Sequence, residues 1–175
     1  MALVMTPIYT QIATGSASLI IFNNIPQYFT DLKLVCSTRS SGTAVDIVLY
    51  VRLNGDTSSS NYSFTRLYGT GSSSASDRGS SLSYASSGTG NGASATASTY
   101  ANNEFYFSNY TASNFKSWIG DGVAENNAVA APQVLSANLW RNTNAITSIT
   151  VGDFGGNNFT NLSTFSLYGI IRSGA

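Results

Sequence analysis

The sequence predicts an all-β protein, an antiparallel, jelly-roll-like β-sandwich. Apolar and polar residues alternate over many short runs, which is the pattern of half-buried strands. Clusters of Gly, Asn, Ser and Pro separate these runs, and no stretch of useful length has a helical period. A chain of 175 residues is long enough to bury one substantial core. We therefore expect residues 1–175 to form a single β-sandwich domain.

Residues 1–12 are a possible N-terminal arm. Leu3, Val4, Met5, Ile8 and Tyr9 make this segment apolar, and a terminal segment can extend onto a neighbouring chain and add a strand there. These side chains are therefore candidates for a protein interface. The alternative is an ordinary edge strand of the chain's own sheet.

The strand runs follow in order along the chain. In 45–53 every odd position is aliphatic, and the run ends at a turn signal, Asn54 followed by Gly55. The next run, 62–68, is expected to be its antiparallel neighbour. The full set of runs is 18–22, 32–38, 45–53, 62–68, 103–110, 115–119, 134–140, 145–151 and 164–171.

Alternation also predicts which side chains face the core. In 103–110, Phe105 and Phe107 share one face while Glu104 and Tyr106 share the other, so one of these pairs belongs to the core. Trp118 and Trp140 each lie beside an aliphatic residue and are expected in the core or an interface. The expected inward sets of the last three runs are Leu135, Ala137 and Leu139; Ile149 and Val151; and Phe165 and Leu167.

Residues 69–99 are compositionally unusual, because all but five of them are Gly, Ser, Thr or Ala. Such a segment has little apolar surface to offset its ordering entropy. One interpretation is a flexible linker. The other, which we favour because 93–98 still alternates, is an extended loop or a pair of edge strands, ordered by the domain or by a neighbour around Leu82 and Tyr84. These two residues are further interface candidates.

Charge argues against nucleic acid as a partner. The net charge is zero, charged residues make up 9% of the chain against about 25% in an average domain, and the basic residues are scattered. No segment approaches the ~20 apolar residues of a membrane helix, and the first residues lack the pattern of a signal peptide, so we expect synthesis in the cytoplasm and no membrane. A weakly charged surface favours association, and the chain is expected to form a homo-oligomer.

The residue types that most often carry catalysis are either absent or lie where a structural role is expected. The chain has no His, and Cys36 lies in an apolar run that favours burial. No two acids form a close pair within a strand, whereas a glycosidase needs two carboxylates facing one groove. The acids beside turn residues are expected to bond the local backbone; they are Asp31, Asp56, Asp121 and Asp153. We therefore expect no catalytic residues, no metal site and no cofactor, and a chain that is not an enzyme.

Several strings resemble small virion proteins of tailed phages, including cyanophages. They are 25–32 (IPQYFTDL), 52–56 (RLNGD) followed by 61–63 (NYS), 145–149 (AITSI) and 167–170 (LYGI). The resemblance spans most of the chain, but its motifs are strand and turn signatures. It implies kinship with capsid decoration (cement) proteins and with tail-fibre or head-fibre domains, and it brings no catalytic residues.

The resemblance leads to two functional hypotheses. The first is a cement protein, with a trimer as the favoured oligomer, which lies on the outer capsid surface and bridges subunits of the major capsid protein. The second is a tail-fibre or head-fibre module whose loops and aromatic side chains bind host surface polysaccharide. Ten Tyr, nine Phe and two Trp would serve either role, since aromatic rings stack on sugars and anchor protein interfaces.

Overall fold

The structure is a computed structural model that describes residues 4–127 and 131–171. Leu3, one of the interface candidates, lies outside these ranges. The described residues form twelve β-strands and no helix. The strands are β1 (Val4–Ile12), β2 (Leu19–Phe22), β3 (Asp31–Thr38), β4 (Asp46–Leu53), β5 (Tyr62–Gly69), β6 (Ser74–Leu82), β7 (Ala85–Asn91), β8 (Ala101–Phe107), β9 (Lys116–Val123), β10 (Gln133–Trp140), β11 (Ile149–Asp153) and β12 (Thr164–Ile171).

The strands form two antiparallel sheets that pack together. The larger sheet has the order β1-β12-β3-β8-β9-β10-β5-β6, and the smaller has the order β2-β11-β4-β7. The chain alternates between the sheets from β1 to β5, and it crosses again into and out of the smaller sheet at β7 and at β11. With β1-β12-β3-β8 as one layer and β2-β11-β4-β7 as the other, this connectivity is that of a jelly roll. The predicted jelly-roll-like β-sandwich is confirmed, and the inserted pairs β5–β6 and β9–β10 extend its larger sheet.

The core lies between the two sheets and follows the predicted alternation in most strands. In β4 the aliphatic side chains of Ile47, Leu49, Val51 and Leu53 are all buried. Cys36 is buried in β3. The other predicted core residues that are buried are Phe105, Phe107, Trp118, Trp140, Ile149, Val151, Phe165 and Leu167.

The inserted strands cover the free edge of the smaller sheet, which is β7. Every residue of β7 is buried, and its neighbours in the larger sheet are β8, β9, β10 and β5. The side-chain amide of Asn103 accepts a hydrogen bond from the Thr89 N–H (3.0 Å) and donates one to the Thr89 carbonyl (2.8 Å). The Ser136 hydroxyl donates to the Ser87 carbonyl (2.7 Å). Polar side chains therefore take the place of a further strand along β7.

This arrangement explains why the predicted inward set of β10 is wrong. Leu135 and Ala137 are exposed and Leu139 is half-buried, while the buried residues of β10 include Ser136 and Asn138. The inner face of β10 meets the backbone edge of β7, which needs hydrogen-bonding groups instead of aliphatic ones. The more apolar face of the strand is consequently turned outward.

The predicted pairing of the fourth and fifth strands is also wrong. β4 pairs with β11 and β7, whereas β5 pairs with β10 and β6. The turn at Asn54 and Gly55 does form, with positive φ at both residues, but the connection then crosses to the other sheet. The Tyr62 hydroxyl anchors this crossing, because it accepts a hydrogen bond from the Leu53 N–H (2.9 Å) and donates one to the Leu53 carbonyl (3.2 Å).

The possible N-terminal arm and the compositionally unusual segment 69–99 lie largely in edge strands. Residues 4–12 form β1, which pairs with β12 at one edge of the larger sheet. Residues 69–99 contain β6 at the opposite edge of that sheet and β7 at the edge of the smaller one. Small side chains suit β7 because it is enclosed on all sides.

Candidate binding surfaces

The titratable residues form few clusters. Among residues 4–127 and 131–171, no group of three or more His, Cys, Asp or Glu side chains could hold a metal ion. Glu104 and Asp121 lie directly opposite each other on β8 and β9. Both are exposed, and Lys33 pairs with Glu104 at 2.8 Å, so neither is buried as the acid of a glycosidase usually is. Burial raises the pKa of the Cys36 thiol.

Two of the four aspartates expected in turns bond the local backbone. Asp56 and Asp153 each accept a hydrogen bond from the N–H two residues further on, at 2.9 and 2.8 Å. Asp31 instead accepts a hydrogen bond from the Tyr106 hydroxyl at 2.6 Å, and Asp121 lies within β9. The carboxylates of Asp56 and Asp153 therefore have a structural role that explains their presence in these turns. That the chain is not an enzyme stays a prediction.

Asp56 links the crossing after β4 to the end of β10. Its Oδ2 accepts hydrogen bonds from the Asn61 amide (2.8 Å) and the Trp140 indole N–H (2.7 Å). Burial alone would raise the pKa of Asp56, but the hydrogen bonds from Asn61, Trp140 and Ser58 together outweigh it and lower the pKa to about 2.

The first candidate surface lies where β1 and β2 form neighbouring edges of the two sheets. The Gln11 amide donates to the Ile21 carbonyl (2.7 Å), and the Tyr9 ring lies 6.4 Å from that of Phe22, so the two strands are adjacent. Ile8 packs partly buried against the core. We call the exposed apolar side chains here the edge surface; they are Val4, Met5, Tyr9, Ile12, Leu19 and Ile21.

The free edge of β1 is interrupted in its middle. Pro7 lacks a backbone N–H, and the register with β12 shifts between Pro7 and Tyr9. A proline and a bulge on an edge strand both hinder pairing with a further strand. The edge surface therefore offers side-chain contacts more readily than the strand addition that the sequence suggested for residues 1–12.

The second candidate surface is the side of β9, β10 and β5 that points away from the smaller sheet. Ile119, Leu67 and Leu135 are exposed there by 58%, 58% and 52%. Leu67 lies directly opposite Leu135, and Ile119 is one diagonal step away. We call this set, together with Val123 and Ala137, the outer apolar face. This face was not expected from the sequence, because alternation assigned Leu135 and Ala137 to the core.

The third candidate surface is an aromatic cluster on the outside of the smaller sheet. The ring of Tyr84 lies 5.4 Å from that of Tyr50 and 5.6 Å from that of Phe154. The Arg52 guanidinium carbon is 5.3 Å from the Tyr50 ring centre, within the range of a cation–π contact. Gly152 lies beneath Tyr50, where a Cβ atom would overlap the ring. Of the two interface candidates within residues 69–99, Tyr84 is therefore part of a candidate surface, the aromatic cluster.

Leu82 has a different environment from Tyr84. It lies at the end of β6, opposite Tyr62, and packs partly buried against the core. Its main contacts are therefore within the domain.

Comparison with known proteins adds no identification. No family model matches the chain, and no curated protein matches its sequence. The described residues contain no helix long and apolar enough to cross a membrane. The relationship to phage virion proteins therefore stays a prediction.

Proposed function

We propose that this chain is a structural component of a phage particle, a decoration protein that lies on the outer head surface and binds the major capsid protein. The observation that carries the proposal is the edge surface. Val4, Met5 and Ile12 each keep half or more of their surface exposed, and Leu19 and Ile21 are exposed on the adjacent edge strand of the second sheet. Several exposed apolar side chains on neighbouring edge strands are typical of a site that binds another protein.

The physical basis of such a role is repetition. One contact between the edge surface and a capsid subunit can be weak, because the same contact recurs at every equivalent position of the shell. A protein that binds the assembled shell and not the separated subunits stabilises the assembly by mass action. A copy that touches two subunits adds the effect of a high local concentration. The low charge of the chain keeps electrostatic repulsion between close copies small.

Heat disruption of purified capsids tests this proposal. Particles that lack the chain should fall apart at a lower temperature than complete particles, and adding back the purified protein should restore resistance. Changing Met5→Lys and Ile12→Lys together should weaken capsid binding at least about tenfold, because both charges would be desolvated in the contact. Phe115→Lys is the matched control, since Phe115 is half exposed just before β9, and three strands of the larger sheet separate β9 from β1.

Two results would contradict the cement role. One is that particles without the chain withstand heat and low ionic strength as well as complete ones. The other is that immunogold labelling finds the chain on tail fibres and not on the head.

The aromatic cluster favours a second candidate function, the binding of host polysaccharide by a fibre module. Phe154 is 60% exposed, and Tyr50 and Tyr84 are half-buried beside it, so ring faces are available to a ligand. Aromatic side chains with polar tips suit a ligand that has both apolar and hydroxyl surfaces. The neighbouring Arg52 supplies a charged hydrogen-bond donor.

A glycan array tests the second candidate. Under this hypothesis the purified protein binds a host surface polysaccharide, and Tyr84→Ser or Phe154→Ala lowers the affinity at least about tenfold. Tyr28→Ser is the matched control, because Tyr28 is 73% exposed and its ring lies beside Phe29, outside the cluster. Unchanged binding by the cluster variants would reject the aromatic cluster as the site.

A further inference from the structure

The outer apolar face is unpartnered in a single copy of the chain. Its centre is the cross-strand pair of Leu67 and Leu135, and Ile119 and Val123 lie diagonally beside Leu135. A shallow groove of about 770 Å³ runs past Leu67 and Leu135 toward β6. A sheet that is apolar on an outward face of three adjacent strands usually packs against another layer.

Charged residues flank this face with opposite signs on its two sides. Asp121 lies on β9, directly opposite Glu104, and Lys33 already pairs with Glu104 at 2.8 Å. Like charges directly opposite on neighbouring strands are unfavourable, so a further cation near Asp121 would stabilise the pair. Arg78, on β6 at the other side of the face, is exposed and forms no salt bridge within the described part of the chain.

We propose that a second copy of the chain packs on the outer apolar face, related by a two-fold axis that runs along the strands between β10 and β5. This axis places β10 of each copy against β5 of the other. Leu135 then contacts Leu67 of the second copy, and the same contact occurs twice. Arg78 of one copy then lies two residues, about 7 Å, along the strands from Asp121 of the other, and the long arginine side chain can span this offset. The charges on the two sides of the face are thus complementary.

The area of the contact suits a weak, reversible pair. The outer apolar face together with the strands that flank it, from β8 to β6, is about 24 Å wide, and seven residues span about 23 Å along a strand. The projected area is therefore about 550 Å², which is below the roughly 800 Å² per partner of a standard interface and in the range of weak, transient complexes.

The pairing also has a consequence for function. β1 and β2 lie at one end of the strand order and the outer apolar face lies toward the other, so pairing leaves the edge surface free. A two-fold pair carries two edge surfaces and could join two capsid subunits. The pairing itself does not depend on the proposed function, since it requires only the isolated chain.

Sedimentation analysis of the purified full chain tests the pairing. The expected result is a concentration-dependent equilibrium between the monomer and a species of twice the monomer mass of 18.4 kDa. Leu135→Lys should weaken this equilibrium at least about 100-fold, because symmetry places the charge at two buried contacts. Leu162→Lys, at an exposed residue before β12 and outside the outer apolar face, is the control and should dimerise like the unchanged chain.

A charge exchange tests the geometry. Arg78→Asp or Asp121→Arg alone should weaken the dimer about tenfold, and the two changes combined should restore it, because the opposite charges again meet across the two-fold axis. The thermal unfolding of each variant at low concentration checks that the fold is retained.

Three outcomes would overturn the proposal. They are a chain that stays monomeric at every concentration, a trimer, or a dimer that Leu135→Lys leaves intact. Restoration by the double charge exchange is the result that coincidental destabilisation of the fold would not give.

Discussion

Replacing Asn103 with leucine should reveal how the free edge of β7 is held. Asn103→Leu keeps the size and shape of the side chain but removes both hydrogen bonds to the Thr89 backbone, at 3.0 and 2.8 Å. Asn103 is 1% exposed, so water cannot easily replace the amide. A buried backbone group that loses its partner costs about 1–3 kcal/mol, and two such groups give a loss of about 4 kcal/mol.

Urea unfolding followed by tryptophan fluorescence is a suitable assay. With a typical slope of about 2 kcal/mol per molar urea, the transition midpoint should fall by about 2 M. The matched control is Asn102→Leu, which changes the neighbouring exposed residue on the opposite face and should alter stability by less than about 0.5 kcal/mol. If Asn103→Leu costs less than about 1 kcal/mol, the amide does not substitute for a strand at this edge.

Other predictions concern steric overlap at a glycine, the pH dependence of stability, and a buried charged side chain. Gly120→Ala should destabilise the fold by about 1–3 kcal/mol in the same assay, because the added methyl group would overlap the Ser87 carbonyl. The control is Ser117→Ala on the exposed face of the same strand, which should leave stability nearly unchanged. The pKa of Asp56 is lowered to about 2 in the folded protein. The ionised carboxylate should therefore stabilise the fold fully above about pH 4, and this contribution should disappear as the pH falls toward 2. Thermal unfolding measured from pH 2 to 5 should depend less on pH in Asp56→Asn than in the unchanged chain. Lys116→Met should lower the free energy of unfolding in urea by about 2–3 kcal/mol, because the Lys116 ammonium group donates hydrogen bonds to three backbone carbonyls. A loss below about 0.5 kcal/mol would mean that water replaces the ammonium group at these carbonyls.

The sequence predicted the fold where one face of a strand is apolar and the other polar. β4 is the clearest case, because the odd-numbered residues from Ile47 to Leu53 are all aliphatic and all face the apolar core. In β10 the same reasoning chose the wrong face. The strand has Leu135 on one face and Trp140 on the other, and alternation cannot show that the inner face must serve the polar edge of β7. Which face of β10 is buried depends on the position of β7 in the folded chain.

The candidate surfaces were predictable to different degrees. The apolar character of Val4 and Met5 was visible in the sequence, and the structure leaves both exposed. The outer apolar face was not foreseen, because it depends on a register that places Leu67 opposite Leu135 although 67 residues separate them along the chain. The aromatic cluster likewise combines distant segments, since Tyr50, Tyr84 and Phe154 come from three separate parts of the chain.

The enclosure of β7 also bears on where the chain can be altered. Its sequence, ASSGTGN, has the composition of a flexible spacer, and composition alone would select it for inserting a peptide tag. Burial of every residue in this strand means that an insertion there would displace several of the five strands that contact it. The turn around Gly71, which has a positive φ and open space around its Cα atom, is the better site for a label.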